Sequence, residues 1–137
     1  MTILRRAAAV AAALIVTPAL TACSSVDEPE ARRVAAEFAR LAGTDPTAAC
    51  ALLAPRTLEQ VTQDGDGDCA EGLKSESPRP ASRVTSVSVA INGAQVVMDD
   101  QVLFLAHFDT GWRVTAAGCT RDAADDAVPY QCSVKGS

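Results

Sequence analysis

Histidine, tyrosine and tryptophan occur once each in the 137 residues, lysine twice, and aromatic side chains make up only 4% of the chain. Each scarcity excludes something. A lone histidine, His107, cannot form a histidine metal cluster, and the five cysteines contain no Cys-x-x-Cys pair of the kind zinc sites use. There is no Gly-x-Ser-x-Gly nucleophile turn, no phosphate-cradling glycine loop and no internal repeat. Positive charge is also short, with 12 Lys plus Arg against 17 Asp plus Glu, a net charge of −5. Such a surface is repelled by nucleic acid and by anionic lipid head groups. The longest apolar stretch, Ala7 to Leu20, covers fourteen residues and falls short of the roughly 20 needed to span a bilayer as a helix.

That stretch has a different use. Arg5 and Arg6 precede it and the small residues Thr21 and Ala22 follow it, the order of a secretory signal. Leu20-Thr21-Ala22-Cys23 then resembles the lipobox of bacterial lipoproteins. The resemblance implies a thioether-linked diacylglycerol on Cys23, cleavage just before it, and residence on the extracytoplasmic face of the membrane. The competing reading is an ordinary signal cut elsewhere, with Cys23 a spare thiol. The residues around the arginine pair, "ILRRAAAV", fit twin-arginine export poorly and favour general secretion, though either route delivers the chain outside. The expected organisation is a signal peptide at 1–22, a short tether at 23–27 and one domain at 28–137. Loss of residues 1–22 leaves 115 residues with 10 basic and 17 acidic side chains, a net charge of −7. Attachment would therefore rest on the lipid, with a membrane protein as the expected partner and nucleic acid excluded. Arginine outnumbers lysine ten to two and alanine is abundant, a bias associated with high-GC Gram-positive coding.

Cys50, Cys69, Cys119 and Cys132 remain, an even number in an exported chain, which predicts two disulfides. Of the three pairings, Cys50 with Cys69 and Cys119 with Cys132 is favoured because each pair falls within one half of the chain. The run "QDGDGDCAEG" spaces Asp64, Asp66 and Asp68 like the first ligands of an EF-hand loop, but Cys69 stands where glycine is required and Ser75 where glutamate is required. The alternative is structural: Asp68 with Glu71 forms a capping-box helix start after Asp-Gly turns. No metal or cofactor is expected.

Apolar residues Ala31, Val34, Ala35, Phe38 and Leu41 recur at helical spacing behind Asp27 and Glu30, predicting a capped helix ended by Gly43. Asp45-Pro46 should open a second helix that carries Cys50, Leu52 and Leu53 and stops at Pro55. Thr57 with Gln60 should cap a third, and Cys69 should lie on a fourth. After the "SESPRPAS" connector the period becomes two. Thr85, Val87, Val89 and Ile91 alternate with Val84, Ser86, Ser88 and Ala90, and Asn92-Gly93 gives a two-residue hairpin signal. Ala94 to Met98, Val102 to Phe108 and Trp112 to Ala117 complete a four-stranded antiparallel meander, turned at Asp99-Asp100 and Asp109-Thr110-Gly111. The acidic run "TRDAADDAVPYQC" reads as a solvated loop closed by the second disulfide.

An α+β order of one long amphipathic helix, short helices and a meander ending in "GWRVTAAG" resembles the cone fold of the nuclear transport factor 2-like and ketosteroid isomerase-like superfamily. "AACALLAPRTLEQV", "VLFLAHFDTGWRVTAAGC" and "PYQC" are similar to small secreted lipoproteins of high-GC Gram-positive bacteria. The resemblance implies a pocket between the first helix and the sheet. Its candidate polar groups are sparse: Tyr130 is in the tail, Asp99 and Asp100 are at a turn, and His107 has no visible partner for acid–base work. Catalytic residues are therefore not assigned. A binding or accessory lipoprotein is favoured, the alternative being a cone-fold ligand carrier or enzyme.

Overall fold

A computed structural model describes residues 27–77, 79–122 and 127–137. The expected signal peptide at 1–22 and Cys23 lie outside the described residues, as do residues 123–126 of the acidic loop. Four helices come first: α1 (Asp27–Thr44), α2 (Pro46–Cys50), α3 (Pro55–Asp64) and α4 (Cys69–Ser75). Five strands follow: β1 (Val84–Ala90), β2 (Gly93–Met98), β3 (Val102–Phe108), β4 (Gly111–Cys119) and β5 (Val134–Lys135). They form one antiparallel sheet in chain order.

The apolar stripe of α1 is the one its spacing predicts: Ala31, Val34, Ala35 and Phe38, continued by Ala39 and Ala42, are all buried. The four alanines among them let the helix backbone approach the sheet closely. Facing it are Ala94, Val96 and Met98 of β2, Leu103 and Leu105 of β3, and Trp112, Val114 and Ala117 of β4, none more than 5% exposed. Irregular pairing between Val84 and Ser86 of β1, and at two points between Val102 and Leu105 of β3, interrupts the ladders. Bulges of this kind bend a strand and increase its twist.

The helix boundaries depart from expectation in instructive ways. Asp27 is already helical, and α1 runs one residue past Gly43, where Thr44 Oγ1 donates to the Arg40 carbonyl at 2.9 Å. Asp45 does cap α2, accepting from the Ala48 N–H at 3.1 Å, but α2 ends at Cys50. Leu52 and Leu53 fall beyond it, and Leu53 forms a parallel bridge with Val114 of β4. Pro55 opens α3 instead of ending α2: Ala54 before it is extended, as a residue preceding proline prefers. Thr57 is consequently inside the helix and caps nothing. It is 2% exposed, and its hydroxyl donates to the Thr115 carbonyl at 2.9 Å.

The sheet has a fifth strand that a period-two reading misses. After the Cys119–Cys132 disulfide turns the chain back, Val134 pairs with Ala117 and Lys135 with Ala116. Together with the Leu53 bridge, this short segment covers the edge of β4, which would otherwise offer unpaired backbone groups. The first hairpin also differs. Ala90 pairs with Gly93, so its two loop residues are Ile91 and Asn92, not Asn92 and Gly93. Ile91 leaves the apolar face on which alternation had placed it and stands at the tip.

Candidate functional site

Two disulfides hold the architecture in the pairing favoured from sequence. Cys50 at the end of α2 joins Cys69 at the start of α4, and Cys119 at the end of β4 joins Cys132 just before β5. Asp68 positions the first of these: its carboxylate accepts the Glu71 N–H at 3.1 Å and so fixes where α4, and with it Cys69, begins. The preceding Asp-Gly repeats make a tight connection. Asp66 and Gly67 take positive φ angles, and a side chain on Gly65 would collide with the backbone of Asp68 and Gly72.

Asp64 accepts from Gln60 Nε2 at 2.9 Å, and Asp68 is committed to the α4 cap. Among the described residues no group of three or more His, Cys, Asp or Glu side chains is placed to hold a metal ion. Beside the cap, the Lys74 ammonium contacts Glu71 at 2.7 Å, and that hydrogen bond raises its pKa above the ordinary lysine value.

A ligand pocket between α1 and the sheet is the geometric requirement of the cone-type enzyme reading, and side chains fill that space. Phe38 and Trp112, each 1% exposed, meet Leu103, Val96 and Val114 at 0%. Five surface clefts stand out, and none is lined by a residue of α1. The most apolar, about 450 Å³, lies outside the core between Ala54–Thr57 at the start of α3, Phe108 and Thr115 of the sheet, and Gly136. Buried polarity is rare in the core, the indole N–H of Trp112 being a buried donor with no acceptor among the described residues.

The sequence-predicted polar candidates are dispersed. His107 is exposed near the end of β3 with its ring edge-on to Trp112, centroids 5.2 Å apart. Tyr130 lies on the opposite face of the sheet. Its hydroxyl accepts from Gln95 Nε2 at 3.1 Å, its ring meets Phe104 edge-on at 5.2 Å, and the Arg121 guanidinium sits 4.5 Å over the ring. Tyr130 is thus a packing residue that pins the tail onto the sheet. Asp99 and Asp100 are exposed at the β2–β3 turn, Asp99 3.6 Å from Arg83 and Asp100 accepting from the Ser82 hydroxyl. Sequence reasoning missed Gln101, 5% exposed, whose Oε1 accepts the Gly118 N–H at 3.1 Å and whose Nε2 reaches the Pro80 carbonyl at 3.4 Å. It ties the connector to β4, and nothing in its sequence neighbourhood distinguishes it from a solvated turn residue.

Compared with family models, with curated proteins and with solved structures, the chain matches none. No helix among the described residues is long and apolar enough to cross a membrane.

Proposed function

We propose that this protein is a lipoprotein held on the extracytoplasmic face of the cell membrane through lipid on Cys23, and that its domain is a binding or accessory module without catalytic chemistry. The observation that carries the reading is the use of the cysteines. Four of the five pair among themselves, so the chain holds no cysteine left to pair with Cys23, and that residue follows Leu20-Thr21-Ala22 at the end of a signal-like run. Two disulfides are at home in an oxidising compartment. Two or more acyl chains, at about 0.8 kcal/mol per buried methylene, give stable attachment where one chain does not.

The long helix in a bent antiparallel sheet supports a nuclear transport factor 2-like cone, filled in this chain where a ligand-binding member would be hollow. That filling favours surface recognition over chemistry in a pocket, and a membrane-protein partner suits a domain tied this close to the lipid. The test is fractionation: wild-type protein partitions with membranes, and Cys23→Ala is released to the medium or retained uncleaved. Unchanged membrane partitioning of Cys23→Ala would defeat the proposal. The second reading, a small-ligand carrier, rests on the apolar cleft beside Phe108. It gains ground only if apolar ligands protect that cleft.

A further inference from the structure

Ile91 combines two unusual properties. It is 96% exposed, far more than the other exposed large apolar residues, Leu58, Phe108 and Val128, at 36–37%. It is also a β-branched residue at φ +55°, in the first of the two loop positions of its hairpin. Hairpins with positive φ at that position normally fill it with glycine, asparagine or aspartate. A branched side chain there is strained and contributes no packing, and strain kept at an exposed point suggests use.

Its location supplies the use. The antiparallel order puts the β1–β2 and β3–β4 turns at one end of the sheet, and the His107 N–H donates to the Asn92 carbonyl at 2.8 Å, joining the Ile91 tip to the end of β3. Phe108, 37% exposed, begins the neighbouring turn. Glu30, in the first turn of α1, touches the same end, its Oε1 placed against Gly111, 3.7 Å from where a β-carbon would stand, while Arg32 Nη1 reaches across to the Val84 carbonyl at the far end of β1 at 3.3 Å. Cys23 precedes Asp27 by four residues, a span of at most about 14 Å when extended.

We infer that this end of the sheet faces the bilayer and that Ile91 enters its head-group region. The inference rests on lipid attachment at Cys23 and adds the orientation of the domain. One isoleucine could not recruit the protein from solution. On a leash this short the contact is intramolecular, so a small apolar tip suffices to bias which face looks at the lipid. The carboxylates of Glu30 and Asp109 at this end oppose deep burial and limit the contact to the tip. Salt should therefore strengthen it by screening their repulsion from anionic lipid.

The test uses lipidated full-length protein, purified from membranes and reconstituted into phosphatidylcholine–phosphatidylglycerol vesicles, with tryptophan introduced at one position at a time. Trp112, buried in the core, is a constant background. Vesicles with brominated acyl chains should quench the added emission of Ile91→Trp about twofold or more, consistent with apolar groups reaching roughly 5–10 Å into the interface. Asp109→Trp on the neighbouring turn should respond in the same direction, and Asp100→Trp at the opposite end of the sheet should not respond. Flotation with the vesicles but equal quenching at all three positions, or at Asp100→Trp alone, overturns the orientation and leaves the anchor standing. Wild-type protein that fails to float overturns the anchor and the orientation with it.

Discussion

Gly72→Ala sets two effects of opposite sign against each other. Gly72 is in the middle of α4, where alanine is the better helix former by about 1 kcal/mol. If local propensity decided the outcome, the variant would be more stable than the parent. The structure predicts the reverse. α4 crosses α3 with Gly72 directly against the backbone of Val61, and an alanine methyl would overlap the Val61 carbonyl oxygen and press on its Cγ1 at 3.0 Å. That carbonyl already accepts the Gly65 N–H at 3.1 Å, so it cannot swing aside without breaking the end of α3. Nor can α4 slide freely, because Cys69 at its start is bonded to Cys50. Overpacking by one methyl in such a place costs typically about 1–3 kcal/mol, and a crossing that must move backbone belongs at or above the top of that range. Net of the propensity gain, about 2 kcal/mol should be lost. With a urea dependence of roughly 1–2 kcal/mol per molar, the unfolding midpoint should fall by about 1–2 M at unchanged slope. The assay is equilibrium urea unfolding of the oxidised domain followed by the fluorescence of Trp112, the only tryptophan. A midpoint equal to or above that of the parent would refute the backbone contact between α3 and α4.

Ile91→Gly removes the left-handed strain at the hairpin tip at almost no packing cost and should raise stability by about 1 kcal/mol, read as a higher melting temperature. A lower one would show that the loop does not adopt the positive φ. Thr57→Val keeps the buried shape but deletes the hydroxyl that serves the Thr115 carbonyl, and should cost about 1–2 kcal/mol in the same urea assay, whereas a neutral result would mean that this carbonyl has another donor. Replacing Cys119 and Cys132 together by alanine opens a loop of 13 residues in separation, worth about 3 kcal/mol in the chain-entropy model, and should also release β5. Hydrogen exchange at Val134 and Lys135 should then rise ahead of exchange in β2 and β3, and uniform loss of protection would contradict a locally pinned edge strand.

Local chemistry made some of these elements readable in the sequence. The stripe of α1 is visible because small apolar residues recur at helical spacing over several turns. The α2 and α4 starts are visible because Asp45 and Asp68 are side-chain caps whose partners lie three residues ahead. The disulfide pairing follows from the same division, since each bond closes within the helical or the sheet portion. Elements fixed by distant contacts left no such trace. β5 is two residues long, too short to show a period, and exists because Cys132 returns the chain to β4. The start of α3 is set by the pairing of Leu53 and Ala54 with Val114, which leaves Pro55 as the first helical residue and places Thr57 under the sheet. The Asn92-Gly93 dipeptide predicts a hairpin correctly but misplaces its loop by one residue. The alternative register keeps Val87 and Val89 on the same inward face as Ala94 and Val96, so the apolar pattern of the strands does not discriminate between them. The burial of Trp112 beside the α1 stripe was likewise unreadable, because it depends on how the sheet packs on the helix and not on any local pattern.

The central claim concerns Cys23, and the mass of the intact protein extracted from membranes tests it in one step. The account predicts a chain that begins at Cys23, is shorter by residues 1–22, carries diacylglycerol on that cysteine with or without a further acyl group on its amine, and has all four other cysteines oxidised in pairs. A mature chain that begins at any other residue, or one with an unmodified thiol at Cys23, would contradict it.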